Sequence, residues 1–313
     1  MKKRIAALVL CLALVLALSA CGGSNLTFGT GGETGTYYAF GGVLAQYVTS
    51  NTDTSVTAVS SKGSQANIED LDAGDIQLGF VQSDVMSYAY NGERLFEDPI
   101  TDFSVVAALY MEQVQIVTLD PEIKTVADLA GKTVSIGASG SGVFYNALDV
   151  LECYGLDYET DITAVMQDFA DSTESLQDGK IDAAFIVAGA PTTAITSLAA
   201  TQSVYLVSLD EEHIAALRET SPYYSPNTIA ADVYGTPEDC TTVAVNAIVI
   251  ARDDVPENDI YNFVSAIFEN SADLAHAKAE ELDINFAASV TDVPYHPGAA
   301  KYFAEKGIEV PVK

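Results

Sequence analysis

From residue 26 onward, short apolar runs alternate with stretches whose apolar positions recur every three or four residues. The runs predict strands at 26–28, 56–59, 76–81 and 105–110, with helices over 37–48, 66–71 and 84–90 between them. The rhythm begins again at Gln115, with predicted strands at 116–119, 133–136, 162–165, 183–187 and 204–209. Helical spacing falls at 143–153, 172–177, 191–198 and 211–219, and Gly155 is placed to end the first of these. A long β-rich run, 242–251, is followed by helical patterns at 256–268, 272–281 and 299–306. Strand and helix in alternation mean an α/β protein.

Two such blocks imply two lobes, because about 290 residues exceed what one hydrophobic core serves. The run at 242–251 suits a chain returning from the second block to the first. The expected division is therefore 26–113 with 243–313 as lobe 1 and 114–242 as lobe 2, joined by two crossings.

The first residues follow another pattern. Lys2, Lys3 and Arg4 precede an apolar run over 5–18, then Leu18, Ser19, Ala20 and Cys21. A basic start, a short apolar core and small residues before a cleavage point describe an export signal over 1–20. The run is shorter than the ~20 residues of a spanning helix. The motif ending in Cys21 resembles a bacterial lipobox, so Cys21 is the expected lipidation site, residues 21–25 the spacer, and an extracytoplasmic, membrane-tethered chain the expected product. Acyl chains bury ~0.8 kcal/mol per methylene, enough when several are present to hold a soluble domain at a membrane. Of the remaining cysteines, Cys11 leaves with the signal, and Cys153 and Cys240 form either one disulfide or two free thiols.

Charge narrows the partners. The full chain carries −30, and losing the three cations Lys2, Lys3 and Arg4 takes it to −33. Nucleic acid, bound mainly through Lys and Arg on phosphates, is excluded as a partner. The expected assembly state is a monomer.

Three strand-to-helix turns hold the candidate chemistry: GTGGETGTYYAFGG at 29–42, SSKGSQAN at 60–67 and ASGSG at 138–142. Glycine lets the backbone approach a ligand, and the helix that follows offers unpaired amides and partial positive charge to an anion. A tight turn that only packs is the alternative at each place. Lys62 is a cation in a chain poor in them, either a carboxylate partner or a solvated loop residue. Gln82 and Ser83 end the next strand on the same edge, where ligands of open α/β sheets sit.

Catalytic patterns fail on spacing. Gly29, Gly31 and Gly35 miss the dinucleotide fingerprint by one position, and Gly131-Lys132-Thr133 has Val126 where a phosphate loop needs glycine. Neither Ser139 nor Ser141 sits in a nucleophile elbow. His213, His276 and His296 are scattered, without zinc-ligand spacing, and His296 before Pro297 and Gly298 reads as structural. No enzyme activity, cofactor or metal is expected.

The turns above, with DIQLGFVQSD, GKTVSIGASGSG, DGKIDAAFIVAGAPT and YHPGAAKYFAEKG, together resemble the TAXI family over residues 26–308. These are solute receptors of tripartite ATP-independent periplasmic (TRAP) transporters. The resemblance implies a two-lobed type II periplasmic-binding-protein fold with the ligand in the cleft between lobes. It implies a small organic acid or amino acid as ligand, glutamate-like dicarboxylates leading, delivered to a TRAP permease in the membrane. It places ligand contact on Thr34, Gly35, Tyr37, Gly63, Ser64, Asn67, Gln82 and Ser83 in one lobe. In the other it places contact on Ser139, Gly140, Ser141, Gly142, Gly189 and Pro191, with Tyr110 at the hinge. The chain departs from the family pattern at Ala39 and Phe40, and at Ser61 and Lys62; Lys62 is added to the contacts as a cation. TRAP receptors of the other type rely on an arginine, and here Arg94, Arg218 and Arg252 all lie outside the motifs. A ligand-binding sensor that feeds a signalling partner is the alternative function.

Overall fold

The computed structural model describes residues 24–313, so the export segment and Cys21 lie outside the described residues. The chain begins β1 (Asn25–Gly29), α1 (Thr36–Asn51), β2 (Ser55–Val59), α2 (Ser64–Ala73), β3 (Leu78–Gln82), α3 (Ser83–Asn91) and β4 (Phe103–Thr118). It continues β5 (Thr133–Ser135), α4 (Gly142–Cys153), β6 (Thr163–Val165), α5 (Phe169–Gln177), β7 (Ala183–Ala188), α6 (Thr193–Ala199), β8 (Tyr205–Leu206), α7 (Glu211–Thr220) and β9 (Ser225–Ile229). The last elements are β10 (Cys240–Arg252), α8 (Glu257–Glu269), α9 (Ile284–Ala287) and α10 (Pro297–Glu305). Among the described residues no helix is long and apolar enough to cross a membrane.

The strand order is β2-β1-β3-β10-β4-β7-β5-β6, with β8 on β4 and β9 on β10. β1 is parallel to β2 and β3 at one end, and β5 is parallel to β6 and β7 at the other. The antiparallel β4 and β10 join the two groups. β10 takes β3 along Ala247–Ala251, while β4 takes β7 along Gln113–Thr118. Register slips in the β4/β10 ladder at Ala247/Ile248 and at Val249/Ile250. Such bulges add local twist and re-aim neighbouring side chains. They lie on the first-lobe side of the crossing.

The apolar core divides in the same way. One cluster gathers Phe28, Phe40, Leu44 and Phe80 with Ile248, Phe263 and Phe303. Two others, around Val134, Val150 and Phe185 and around Ile186, Ile195 and Leu198, fill the second lobe. α1 buries Tyr37, Phe40, Leu44, Ala45 and Val48, a helical stripe, against the first sheet group. Phe28 stacks on Phe80 at 5.0 Å and meets Phe263 edge-on at 5.9 Å. Pairs of this kind contribute about 0.5–1.5 kcal/mol beyond their burial.

Most predicted elements are present, and the differences have physical reasons. The predicted strands 105–110 and 116–119 are one strand of sixteen residues. Met111, Glu112 and Gln113 break the apolar run in sequence but not the ladder. The predicted helix 272–281 is two 3-10 turns, Ser271–Asp273 and Ala277–Glu281. His276 Nδ1 accepts the Lys278 amide at 3.1 Å, and the Lys278 side chain turns inward, so tertiary contacts override the helical spacing. The strand predicted at 204–209 is reduced to Tyr205–Leu206. β9, SPNTI, was not predicted; it pairs on one side only, where Pro226 is tolerated. The helix predicted from 191 starts at Thr193.

Gly155 ends α4 as the sequence suggests. It takes φ +70°, and the amides of Gly155 and Leu156 close on Glu152 O and Leu151 O at 2.9 Å each. Cys153 and Cys240 are both free thiols, the Cys240 thiol pushed up to about 11 by burial. His296 is structural. It is buried, its Nδ1 accepts the Gly298 amide at 3.2 Å at the start of α10, and its Nε2 meets Val255 O at 3.1 Å. Burial holds its pKa below the usual imidazole value, so it stays neutral. Replacing His296 by Ala orphans both backbone groups, and urea unfolding should show a loss of about 1–3 kcal/mol. An unchanged urea midpoint would remove the capping role.

Candidate functional site

Three helix N-termini open onto one cavity. The turn before α1 brings Gly31, Gly32, Gly35 and Thr36; the turn before α2 brings Ser61, Lys62, Gly63 and Ser64; the turn before α4 brings Ala138, Ser139, Ser141 and Gly142. The residues capping these helices are Gly35, Gly63 and Ser141, and none supplies a side-chain cap. Ser141 Oγ instead donates to Ala138 O at 2.7 Å. The N-terminal turns of three helices, with the positive ends of their dipoles, therefore line the cavity, a setting suited to an anionic group, although the Ala66 amide of α2 is taken by Gly140 O. The volume is about 300 Å³, at the lower bound of the ~300–1,000 Å³ of small-molecule sites.

A buried carboxyl sits beside these turns. Glu112, on β4 opposite Val245 of β10, lies where the two long strands pass between lobes. It lines the cavity and is 2% exposed. Tyr37 donates to Glu112 Oε2 at 2.7 Å, and Tyr37 is itself held flat on Phe80 with ring centres 4.5 Å apart. Burial pushes the Glu112 carboxyl up to about 8 and the Tyr37 hydroxyl well above its usual value. Gln82 also lines the cavity; its Oε1 is buried without a partner, as is the hydroxyl of Tyr110 nearby on β4. Lys278 approaches from behind Tyr110, but its Nζ donates to Ala190 O at 2.8 Å and pairs with Glu281.

The two lobes touch on both sides of this space. Thr36 Oγ1 donates to Gly189 O at 2.9 Å, and the Ala194 amide donates to Thr34 O at 3.1 Å. On the other side the Ala66 amide donates to Gly140 O at 3.0 Å, Tyr145 donates to Gln65 at 3.1 Å, and Asn146 Nδ2 donates to Asp84 at 2.8 Å. Arg94 pairs with Asp149 further out. The cleft is closed.

Of the residues singled out in the sequence, Gly35, Tyr37, Lys62, Gly63, Ser64, Gln82, Ser139, Ser141 and Gly142 line the cavity together. The others stand around it. Thr34, Gly140 and Gly189 supply the interlobe carbonyls just described. Asn67 is fully buried, and its Nδ2 bridges Thr30 O at 2.8 Å and Phe80 O at 2.7 Å, with Gly29 O at 3.3 Å. That ties β1 to β3 beneath the cavity. Ser83 Oγ accepts the Asn246 amide at 3.2 Å, and Tyr110 is buried beside Lys278. Pro191, after a cis peptide bond, is exposed and outside the lining. Lys62 reaches the cavity at its rim, its stem against Gly140 of the other lobe.

The sequence pattern did not mark Glu112, nor Met166, Gln167 and Asp168 from the turn before α5 and Phe169 and Asp171 from its first turn. That turn belongs to the same strand-to-helix class, but without glycine it carried no signal. Glu112 had one: it is a lone carboxylate inside an apolar strand run. Among the described residues no group of His, Cys, Asp and Glu could hold a metal ion.

A family model described as the NMT1-like family matches residues 28–307. Among solved structures, an ancestral arginine-binding protein bound to arginine is 14% identical, with TM-score 0.51 over 82% of this chain and 96% of that one. A protein from Bordetella bronchiseptica RB50 is 13% identical, with TM-score 0.52 over 84% of this chain and 76% of that one. The alkanesulfonate-binding protein SsuA from Xanthomonas axonopodis pv. citri, bound to MOPS, is 17% identical, with TM-score 0.49 over 90% and 83%. The fold is the α/β, two-lobed periplasmic-binding-protein type with the cleft between lobes.

If Asn67 braces the site without touching ligand, Asn67→Ala leaves buried carbonyls unpaired and lowers stability by about 3 kcal/mol in urea titrations. A variant of native stability with lost solute binding would make Asn67 a contact residue instead.

Proposed function

Because the chain belongs to the NMT1-like family, we propose that it is an extracytoplasmic solute receptor of the TAXI type, serving a TRAP permease. Its ligand is a small organic acid or amino acid, glutamate-like compounds leading. The observation that supports this reading is the convergence of three helix N-termini without side-chain caps on one cavity between the lobes. Donors fixed on backbone need no arginine to hold a carboxylate, in keeping with a chain whose three mature arginines all lie away from the cavity.

Capture works by shared contacts. The donor wall is split, with α1 and α2 in the first lobe and α4 in the second. A ligand bridging them favours the closed arrangement by its differential affinity for it. The lobes move by bending β4 and β10 near the expected boundaries, 113/114 and 242/243, where two strands alone connect them. The closed face is then presented to the permease. Cys21 keeps the receptor at the membrane, where high local concentration replaces tight affinity for that partner.

Thermal shift of the mature chain against small carboxylates and amino acids tests the reading. A cognate solute at 100-fold excess over its Kd adds about 2.7 kcal/mol, a clear rise in Tm. No stabilisation by any compound would contradict it. Gly142 sharpens the test: a Cβ there would collide with Gln82 Oε1 and stand 2.8 Å from Ser64 Oγ across the cleft. Gly142→Val should therefore weaken that solute at least about tenfold, roughly 1.4 kcal/mol, by propping the lobes apart.

A further inference from the structure

The lobes also meet away from the cavity, through a buried row of polar groups. On the first-lobe side stand Asp84, in the first turn of α3, and Arg94, in the turn that follows that helix. On the second-lobe side stand Asn146 and Asp149 of α4, with Tyr224 just ahead of β9. Asn146 Nδ2 donates to Asp84 Oδ2 at 2.8 Å and to Tyr224 Oη at 2.9 Å. Tyr224 Oη donates to Asp149 Oδ2 at 3.0 Å, and Arg94 completes the row by pairing with Asp149 Oδ1. Asp84 and Asn146 are fully buried, and the Asp149 carboxylate is 4% exposed. None of the five lines the cavity or belongs to β4 or β10.

Arg94 is held in place for this contact. It is the one non-glycine among the described residues with positive φ, +59°, a left-handed conformation that persists only where the surroundings fix it. Its guanidinium lies over the Tyr88 ring, 5.4 Å from the centre, and Tyr88 and Phe96 pack on Tyr145 of α4 across the same seam. A second space, of about 510 Å³, runs along this seam between Tyr88 and Arg94 on one side and Asp149, Glu152 and Ser221 on the other. Parting the lobes therefore brings water to Asp149. With the lobes together, Arg94 is its only cationic partner, and a buried carboxylate stripped of its cation costs far more than an exposed ion pair contributes.

We infer that Arg94, Asp149, Tyr224, Asn146 and Asp84 form a latch that holds the lobes together by the chain's own contacts. The latch sets how much of the closing free energy a captured solute has to supply, because it favours one arrangement of the lobes over the other. It goes beyond the receptor reading, and its test needs no solute.

Amide hydrogen exchange of the solute-free mature chain, followed residue by residue by NMR, decides. The Ala66 amide donates to Gly140 O and the Ala194 amide to Thr34 O across the cleft. Both lie in first helical turns and have no partner within their own helix, so their exchange reports separation of the lobes. R94A should speed both by about tenfold while amides of β4 and β10 keep their wild-type rates. R94G should do the same, even though glycine relieves the left-handed backbone. Combined with D149N, R94A should add less than about twofold, the non-additivity of groups that share one contact.

Unprotected Ala66 and Ala194 amides in the wild-type chain, or unchanged rates in R94A and R94G, would overturn the latch and leave the receptor reading intact. So would fully additive effects of R94A and D149N. Faster exchange throughout, β4 and β10 included, would overturn it as well, by making Arg94 a brace of the fold rather than a tie between lobes. Should R94A fail to fold, R94G and D149N decide by the same two amides. Failure of every compound to bind would overturn the receptor reading alone.

Discussion

The antiparallel ladder between β4 and β10 carries the architecture. A sixteen-residue strand and a thirteen-residue strand run through both cores, and the two parallel sheet groups attach to them on opposite sides. Backbone hydrogen bonding fixes the register along the ladder. Two slips in register, one beside Tyr110 and one between Ala107 and Val105, increase the local twist. Glu112 follows Tyr110 by two residues, so the strand that joins the lobes also sets a carboxyl between them.

That carboxyl is expensive to bury. Its pKa is raised to about 8 by desolvation, against an ordinary glutamate value near 4.5. The proton is held more tightly in the folded chain than in the unfolded one. Its stabilising share is thus complete below pH 4.5 and is lost as pH rises through about 8. A fold selected for stability alone would place a leucine here.

Much of this was legible in the residues. Alternating runs gave the α/β class, and the three glycine-containing turns did come together although they lie at 29–42, 60–67 and 138–142 in the chain. Glycine marks such places because it permits close approach, as Gly142 shows against Gln82 and Ser64. What stayed hidden depended on packing rather than pattern. Asn67 resembled a ligand contact because it follows a turn, yet its amide is consumed by strand carbonyls. Thr34 and Gly189 face the other lobe rather than the cavity. Lys278 sat in a helical pattern that tertiary contacts broke, and Lys62, the expected cation, proved peripheral. The turn before α5 joined the site through Asp168 and Phe169 without any glycine to announce it.

Receptor function depends on one small solute being held by the helix mouths in the cleft between the lobes. A crystal structure of the mature chain with its captured solute tests it most directly. The predicted result is an acidic group within hydrogen-bond reach of the first-turn amides of α1, α2 or α4. A solute seated elsewhere on the molecule, or one whose acidic group points away from all three helix mouths, would contradict it.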